Sequence, residues 1–337
     1  MKAALLRRIG HLDVVDLPPP KLTPGGVLVS VEVAALCRSD IKMVRRGQRD
    51  LVLPRILGHE AAGTILASDH PDWRPGARVG LYPASFCGRC PDCLSGAHTR
   101  CRELRIFGFN DDGFFRGLIP FPEEAAKSLI RLPAGLPAQT AVFAEPLACC
   151  ISAIGRFANL RKGTALVIGA GAVGSLFAAL LLARGWDCVL VADRDRKRLE
   201  SELPPRVTAL HASTGEIGNA LKERSVRLDL IVPACPDGLS WPFWEAMNPG
   251  GGVSFFSGTE TEALAVVESN RIHYSELTLA GSYGCRLQDF QEALDLLACG
   301  RVDLSFLKPE RIGINDIAQG MARLEAGEVK KVDIVQF

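Results

Sequence analysis

Hydrophobic residues near the start of the chain come in short runs that are separated by turn residues. The clearest run, residues 27–33, reads Val-Leu-Val-Ser-Val-Glu-Val and follows Pro24, Gly25 and Gly26. Apolar residues that alternate with polar ones over such a length, after Pro and Gly, are typical of a strand. The opening of the chain is therefore predicted to be rich in β-structure.

The pattern changes after about residue 146, where strand-like runs begin to alternate with longer apolar stretches. Residues 165–168 form a short apolar run, a glycine-rich turn follows at 169–174, and residues 175–183 form a longer apolar run. Further strand-like runs lie at 188–192, 228–232 and 252–256. Strands that alternate with helices are typical of a doubly wound parallel sheet, so an α/β fold is predicted.

The end of the chain, residues 287–337, returns to a mixed pattern. Residues 287–298 carry apolar side chains at helical spacing, and residues 332–335 form a last strand-like run. A chain of 337 residues is too long for one ordinary core. We therefore predict one domain at residues 1–146, a second at 147–286, and a tail that rejoins the first domain.

Composition limits the class of partner. The chain has 39 Lys and Arg against 38 Asp and Glu, so no net field attracts nucleic acid or an anionic membrane. Its start, Met1 to Arg8, meets charge before an apolar stretch of signal-peptide length develops, and the apolar stretch at 176–183 is shorter than the ~20 residues that span a bilayer. We expect a cytoplasmic protein that acts on small molecules, without nucleic-acid or membrane partners.

Four cysteines lie close together in the sequence. Cys87, Cys90, Cys93 and Cys101 are spaced C-x2-C-x2-C-x7-C. Two-residue gaps let the chain curl so that successive thiolates face one ion, and four thiolates close a tetrahedral zinc site. In a reducing compartment such a cluster favours metal over disulfides. We predict a structural zinc; chance clustering of buried cysteines and a redox CxxC pair are the alternatives.

A G-x-G-x-x-G hexapeptide, residues 169–174, stands between the first predicted strand of the α/β domain and its helix. In that context Gly169 makes the turn, Gly171 lets the backbone approach a pyrophosphate, and Gly174 lets the helix pack on the strand. The amino terminus of the helix, which includes Val173, receives the negative charge. The sequence therefore predicts a dinucleotide-binding loop; a glycine turn in a nucleotide-free domain is the alternative.

The choice of dinucleotide depends on residues near the end of the second predicted strand. Asp193 ends that strand, where a carboxylate can accept hydrogen bonds from the ribose hydroxyls of NAD. Arg194 and Arg196 are the opposing signal, because an arginine just beyond the strand can accommodate a 2′-phosphate. We predict NAD as the cofactor.

Three scattered residues could hold a second metal ion: Cys37 through a thiolate, His59 through an imidazole and Glu145 through a carboxylate. Three protein ligands would leave one position for water or a substrate oxygen, as a catalytic zinc needs. Taken alone, each residue has another interpretation. Cys37 could be a small buried hydrophobe, His59 a hydrogen-bonded core residue, and Glu145 a surface carboxylate.

Five motifs in this order resemble those of the zinc-containing medium-chain dehydrogenases, which include alcohol, sorbitol and threonine dehydrogenases. They are Cys37-Arg38-Ser39-Asp40, Gly58-His59-Glu60, the four cysteines, Glu145-Pro146-Leu147 and the glycine loop. The resemblance runs nearly end to end and implies a GroES-like β-rich catalytic domain, a Rossmann NAD-binding domain and a homo-oligomer (dimer or tetramer). It also implies a catalytic zinc on Cys37, His59 and Glu145, hence two zinc ions per chain, with Glu60 as a neighbouring carboxylate that exchanges onto the metal.

The resemblance also implies a mechanism. Ser39 is expected to accept the alcohol proton, and Asp40 to be the hydrogen-bond partner of His59. Arg38 stands where polyol relatives usually have glycine, as in some alcohol dehydrogenases whose arginine contacts the pyrophosphate. Lys42 stands where several relatives place a relay histidine.

The segment Glu145-Pro146-Leu147, together with Asp111-Asp112-Gly113 and Arg116, resembles the polyol-dehydrogenase branch more than the ethanol-oxidising branch. We therefore expect hydride transfer between NAD(H) and a secondary alcohol or ketone, with a polyol, a sugar alcohol or a related hydroxy compound as the alcohol. Two alternatives are a zinc-free, NADPH-dependent quinone or enoyl reductase on the same fold, and a non-catalytic nucleotide-binding scaffold.

Overall fold

The computed structural model describes residues 1–236, 243–257 and 269–337, and the chain divides into two compact units. Unit 1 consists of Met1–Glu145, Arg286–Cys299 and Lys308–Phe337. Unit 2 consists of Pro146–Cys285 and Gly300–Leu307. Residues 300–307, which the sequence analysis assigned to the tail, therefore lie with unit 2.

Strands and helices occur in both units. In chain order the strands are β1 (Lys2–Arg8), β2 (His11–Asp16), β3 (Val27–Ala35), β4 (Arg55–Ile56), β5 (Ala61–Ser68), β6 (Arg78–Leu81), β7 (Ala84–Ser85), β8 (Arg105–Ile106), β9 (Leu118–Phe121), β10 (Leu129–Arg131), β11 (Thr164–Ile168), β12 (Cys188–Asp193), β13 (Thr208–His211), β14 (Leu228–Pro233), β15 (Met247–Phe255), β16 (Thr278–Gly281), β17 (Glu310–Gly313) and β18 (Val332–Gln336). The α-helices are α1 (Arg38–Arg46), α2 (Pro91–Leu94), α3 (Ala138–Ala141), α4 (Ala144–Gly155), α5 (Ala172–Ala183), α6 (Arg196–Glu200), α7 (Ile217–Glu223), α8 (Ser269–Ser275), α9 (Leu287–Ala298) and α10 (Ile317–Ala326).

Unit 1 is built around a sheet in which the order of strands is β10-β6-β5-β3-β18-β17, with β9 also paired to β3. The last strand, β18, runs antiparallel to β3, and Asp333 lies opposite Ala35. Phe114, Phe115 and Phe121 are fully buried in the core of this unit. The β-rich opening and the strand near residue 332 are confirmed, and the pairing of β18 with β3 returns the tail to unit 1.

Unit 2 contains a parallel sheet with the order β13-β12-β11-β14-β15-β16. Counted from its own first strand this is the order 3-2-1-4-5-6 of a doubly wound fold. The side chains of Leu166, Val191 and Ile231 are fully buried, as strands covered on both faces require. The predicted α/β fold is confirmed. The order reverses between β11 and β14, and ligands bind such folds at the carboxyl ends of the strands there.

One stretch, Ala138–Gly155, is long and apolar enough to cross a membrane, and 72% of it is buried within the structure. The apolar stretch at 176–183, which is too short to span a bilayer, lies in α5. Core helices that never meet a membrane pass the same test of length and composition. The stretch Ala138–Gly155 is therefore weak evidence for a membrane span.

Candidate functional site

The four cysteines predicted to bind zinc lie together in unit 1. The Sγ atoms of Cys87, Cys90, Cys93 and Cys101 are all within 4.8 Å of one another. Cys87 Sγ lies 3.8 Å from Cys93 Sγ and 3.6 Å from Cys101 Sγ. A tetrahedral zinc with Zn–S bonds of about 2.3 Å separates its sulfurs by about 3.8 Å. The spacing of these four thiols, called the four-cysteine cluster below, fits one zinc ion.

The backbone around the four-cysteine cluster points its N–H groups at the sulfurs. Cys90 is the N-cap of α2, and its Sγ accepts a hydrogen bond from the backbone N–H of Cys93 at 3.4 Å. The backbone N–H of Cys90 in turn donates to Cys87 Sγ at 3.4 Å. Backbone N–H groups of Arg89 and Cys90 lower the pKa of Cys87 to about 6, whereas burial raises the pKa of Cys93 to about 12. A bound zinc ion would remove that difference, because a coordinating thiol is deprotonated outright.

A second cluster, called the mixed cluster below, consists of Cys37, His59 and Glu60, whose ligand atoms lie within 4.8 Å of one another. Cys37 follows β3, and His59 and Glu60 directly precede β5. The backbone N–H of Ala35 donates to the carbonyl oxygen of Glu60 at 3.0 Å. The pairing of β3 with β5 therefore brings the three side chains together.

Asp40 lies behind the imidazole of His59. Its Oδ2 accepts a hydrogen bond from the backbone N–H of Cys37 at 2.9 Å, and its Oδ1 lies 3.4 Å from His59 Nδ1. Burial lowers the pKa of His59, but the charges of Asp40 and Cys37 outweigh it, so that this pKa is raised well above its ordinary value. Because Nδ1 faces Asp40, Nε2 is the nitrogen that remains for a metal ion, as in histidine ligands oriented by a carboxylate. This donor set fits zinc.

Glu60 forms a buried ion pair with Lys331, a residue that the sequence analysis did not consider. Lys331 Nζ donates to Glu60 Oε2, while Glu60 Oε1 has no hydrogen-bond partner among the described residues. Burial raises the pKa of Glu60 to about 7, against the effect of Lys331 and with a contribution from Glu145. Burial lowers the pKa of Lys331, but Glu60 outweighs it and the pKa is raised. The lysine therefore brings a positive charge to the mixed cluster.

Glu145, the predicted third ligand of the catalytic zinc, is buried in the first turn of α4. Its charge raises the pKa of Glu60, so the two carboxylates lie near each other. Among the described residues, however, the group formed with Cys37 and His59 contains Glu60 and not Glu145. The assignment of Glu145 as the third ligand stays a prediction.

Ser39 is the hydroxyl beside the mixed cluster. Its Oγ lies 3.5 Å from Cys37 Sγ, and the residue is half-buried in the first turn of α1. Arg38 and Lys42, on the same helix, are exposed. Arg38 Nη2 donates to the carbonyl oxygen of Leu324 at 3.3 Å. The Ser39 hydroxyl therefore lies beside a predicted zinc ligand.

The residues that resemble the polyol branch make structural contacts in unit 1. Asp112 Oδ1 accepts hydrogen bonds from Arg55 Nη1 at 2.8 Å and from the backbone N–H of Ile56 at 3.2 Å. Arg116 is buried, its Nη2 donates to the carbonyl oxygen of Asp112 at 3.2 Å, and burial lowers the pKa of Arg116. These contacts stabilise the segment that follows the four-cysteine cluster in the chain.

The glycine loop of unit 2 joins β11 to α5. Gly169 has a φ of +108°, a conformation that L side chains rarely adopt. A Cβ atom on Gly174 would lie 1.8 Å from the carbonyl oxygen of Gly169, whereas a Cβ atom on Gly171 would meet nothing within 4 Å. Val173 is half-buried in the first turn of α5. Gly171 therefore leaves open space at the amino terminus of a helix, where a phosphate can approach.

Asp193, at the end of β12, is buried and has a role that the sequence analysis missed. Its Oδ2 accepts a hydrogen bond from the backbone N–H of Ala170 at 2.7 Å, and its Oδ1 accepts one from the backbone N–H of Asp195 at 2.8 Å. The carboxylate therefore holds the glycine loop against the end of β12. Arg194 and Arg196, the residues that could favour a 2′-phosphate, are exposed.

Two family models match separate parts of the chain. The model described as "Alcohol dehydrogenase GroES-like domain" matches residues 23–134, which contain the four-cysteine cluster and the mixed cluster; Lys331 and Glu145 lie outside this range. The model described as "Ketopantoate reductase PanE/ApbA" matches residues 165–207, which contain β11, the glycine loop and β12. The first match agrees with the predicted GroES-like domain.

Relatives match the chain along most of its length. D-altritol 5-dehydrogenase of Agrobacterium fabrum is 30% identical over 319 residues, which is 91% of each chain. A putative zinc-binding dehydrogenase from Sinorhizobium meliloti 1021, solved bound to NADP, is 25% identical with a TM-score of 0.89 and covers 99% of this chain and 98% of its own. The short chain alcohol dehydrogenase rspB from E. coli CFT073, complexed with NADH, is 24% identical with a TM-score of 0.87 and covers 99% of both chains. This likeness supports the fold only.

These matches confirm the resemblance on which the sequence analysis relied. A relative that is 30% identical over nine-tenths of both chains shares the family as well as the fold. The chain belongs to the zinc-containing medium-chain dehydrogenase/reductase superfamily, with its alcohol and polyol dehydrogenases, and is an oxidoreductase.

Proposed function

We propose that this protein is a zinc- and NAD-dependent dehydrogenase that moves a hydride between NAD(H) and a secondary alcohol or its ketone. The alcohol is a polyol, a sugar alcohol or a related hydroxy compound, as the name of its altritol-oxidising relative suggests. The observation that carries the proposal is the mixed cluster. A thiol, an imidazole and a carboxylate lie within 4.8 Å of one another, and a buried second carboxylate, Asp40, faces the imidazole.

Cys37 and His59 are the proposed zinc ligands in this cluster, with Glu145 as the third and Glu60 as a carboxylate that can exchange onto the metal. When bound, zinc supplies Lewis-acid chemistry that favours the deprotonated form of an alcohol at neutral pH. Asp40 orients the ring of His59 so that Nε2 is presented to the ion. Its hydrogen bond to the N–H of Cys37 fixes the two ligands relative to each other.

Ser39 is the proposed acceptor of the alcohol proton. Its hydroxyl lies 3.5 Å from Cys37 Sγ and is half-buried, so it can accept a proton from the alcohol and donate its own onward. Asp40 does not serve this role, because its two oxygens face Cys37 and His59. NAD, held at the glycine loop of unit 2, would supply the hydride acceptor.

Two features support the proposed NAD site in unit 2. Gly171 opens the amino terminus of α5 to a pyrophosphate, and Asp193 retains lone pairs that can accept a ribose hydroxyl. The same carboxylate would repel a 2′-phosphate. Val173 and Gly174 complete the loop. The resemblance to alcohol dehydrogenases supports Arg38 as a further proposed cofactor-binding residue.

The four-cysteine cluster is the proposed site of a second, structural zinc. Its four thiolates leave no open coordination position, so we assign it no step of the reaction. We further propose that the protein is a cytoplasmic homo-oligomer, a dimer or a tetramer, whose other partners are its small-molecule substrates.

Metal analysis and a substrate screen test the proposal together. We expect two zinc ions per chain and alcohol-dependent formation of NADH with at least one compound among polyols, sugar-alcohol phosphates, hydroxy acids and simple secondary alcohols. One zinc per chain without turnover of any alcohol would contradict the proposal and favour a scaffold. Reduction of quinones by NADPH, without zinc in the mixed cluster, would favour the reductase alternative.

A further inference from the structure

Lys331 is a positive charge placed inside unit 1, next to the mixed cluster. Its residue is only 5% exposed, its Nζ is ion-paired with Glu60 Oε2, and Nζ lies 5.9 Å from the centre of the Phe143 ring. A buried ion pair is weak evidence of stabilisation, because apolar residues of similar volume often serve a core as well or better. The position of this pair beside candidate metal ligands points instead to a role in the site.

The backbone fixes Lys331 in the same framework as the ligands. The N–H of Leu36 donates to the carbonyl oxygen of Val332 at 2.9 Å, directly beside Cys37 and Lys331. The N–H of Ala35 donates to the carbonyl oxygen of Glu60 at 3.0 Å. The three segments that carry the thiol, the carboxylate and the ammonium are therefore joined by hydrogen bonds within one residue of each group.

Glu60 creates a difficulty for a metal site that must stay open to substrate. Its ligand atom lies within 4.8 Å of those of Cys37 and His59, and its Oε1 has no hydrogen-bond partner among the residues described. A carboxylate in that position can occupy the coordination site that an alcohol oxygen needs. An ammonium in contact with the same carboxylate competes with the metal for its negative charge.

We propose that Lys331 is a positioning residue that holds the Glu60 carboxylate back from the metal and so keeps one coordination position available to the alcohol oxygen. The inference rests on the proposed function of the mixed cluster. It assigns to Lys331 no contact with substrate or coenzyme.

Replacement of the lysine by a neutral side chain of similar length tests this role. In Lys331→Met, Glu60 is free to bind the metal, so release of zinc from the mixed cluster to a chelator slows by about 10- to 100-fold. The apparent KM for the alcohol rises by a similar factor and kcat at saturation changes less, because the carboxylate and the alcohol compete for one position. Lys331→Arg, the matched control, keeps the charge and retains the zinc-release rate and KM of the unmodified protein.

A second substitution separates this role from a merely structural one. Glu60→Gln in the Lys331→Met background removes the competing carboxylate, so zinc release becomes fast again and KM falls. A structural defect caused by loss of Lys331 would persist. The double variant contains neither buried charge and should fold even where the single variant does not. If Lys331→Met alone does not fold, Lys331→Gln, which keeps a hydrogen-bond donor without the charge, replaces it as the single variant.

The proposal is overturned if the neutral variant releases zinc at the unmodified rate with unchanged KM, or if Glu60→Gln fails to reverse its effects. The four-cysteine cluster is altered in none of these proteins, and its zinc provides an internal reference. Release is measured without alcohol or NAD. If the unmodified protein oxidises no alcohol, the proposed function fails, but the release rates still decide whether Lys331 controls Glu60.

Discussion

The two candidate metal-binding clusters of unit 1 are assembled in opposite ways. The four-cysteine cluster uses one donor type and lies within the segment from Cys87 to Cys101. The mixed cluster combines a thiol, an imidazole and a carboxylate, and the partner of its carboxylate, Lys331, is 271 residues away in the chain. The first is closed by its own ligands, whereas the second depends on charged residues behind them.

This difference follows from what each cluster has to do. Four thiolates around zinc need only a curled backbone, and short gaps in the sequence provide it. A reactive zinc site must keep one coordination position open and must orient each ligand. We propose that Asp40, which faces His59, and Lys331, which is paired with Glu60, serve these needs. The ligands identify a metal site, and the residues behind them determine whether it can react.

Removal of a ligand from the mixed cluster should have the largest effect on the reaction. In His59→Ala we expect turnover to fall by roughly a thousandfold or more, because the Lewis acid is lost or displaced. NADH binding should remain nearly intact, since the glycine loop belongs to unit 2. Steady-state rates and an NADH titration measure both. His11→Ala, at an exposed position of β2, is the control, and unmodified turnover in His59→Ala on a good substrate would refute the assignment.

The corresponding change in the four-cysteine cluster should act on stability instead. In Cys93→Ser we expect loss of the structural zinc and a free energy of unfolding lower by several kcal/mol, because metal binding contributes folding energy directly. Turnover per folded chain that holds zinc in the mixed cluster should be retained. Denaturant unfolding and zinc content provide the measurements. Cys299→Ser, at an exposed cysteine outside both clusters, should change neither, and an unchanged zinc content in Cys93→Ser would contradict the closed site.

A change behind a ligand should have an intermediate effect. Asp40→Asn keeps the shape of the side chain but removes the charge that faces His59 Nδ1, so zinc affinity and kcat should each fall by about 10- to 100-fold. A competition assay against a chelator measures the affinity. Zinc in the four-cysteine cluster should be held as before. Equal affinity in the variant and the unmodified protein would show that Asp40 does not orient the ligand.

A substitution in unit 2 should have the smallest effect and leave both clusters intact. In Asp193→Asn the KM for NAD should rise about tenfold, because a charged hydrogen bond to the ribose is weakened. Use of NADP should be less affected or improved. Initial rates over a range of both coenzymes give the comparison. An unmodified protein that already prefers NADP would show that Arg194 or Arg196 decides the preference.

The sequence predicted those features that are formed by residues close together in the chain. The four cysteines lie within residues 87–101 and the glycine loop within residues 169–174, so the spacing of these residues alone indicated their chemistry. Hydrophobic runs identified β11, β12, β14 and β15, because strands buried in a parallel sheet are continuously apolar. The scattered ligands became candidates only through their resemblance to a family, since Cys37 and His59 meet through the pairing of β3 with β5.

Two contacts could not be predicted in this way. The ion pair joins Lys331 to Glu60, 271 residues away in the chain, and depends on the pairing of β18 with β3. The only local signal was a lysine at the edge of the apolar run 332–335, a place where lysines are usually exposed. Asp193 was expected to face a ribose, but its bond to the N–H of Ala170 depends on how closely the glycine loop returns to β12.

The distance in sequence between Glu60 and Lys331 also orders events on the ribosome. At 5–20 residues per second, the 271 residues between them take roughly 14–54 s to synthesise. The segment from Cys87 to Cys101 is complete after about 1–3 s. All four thiols of the four-cysteine cluster are therefore synthesised long before β18. Cys37, His59 and Glu60 are also synthesised early, but the ammonium of Lys331 is added only just before β18. Of the two candidate sites, the mixed cluster is therefore the last to have all of its side chains synthesised.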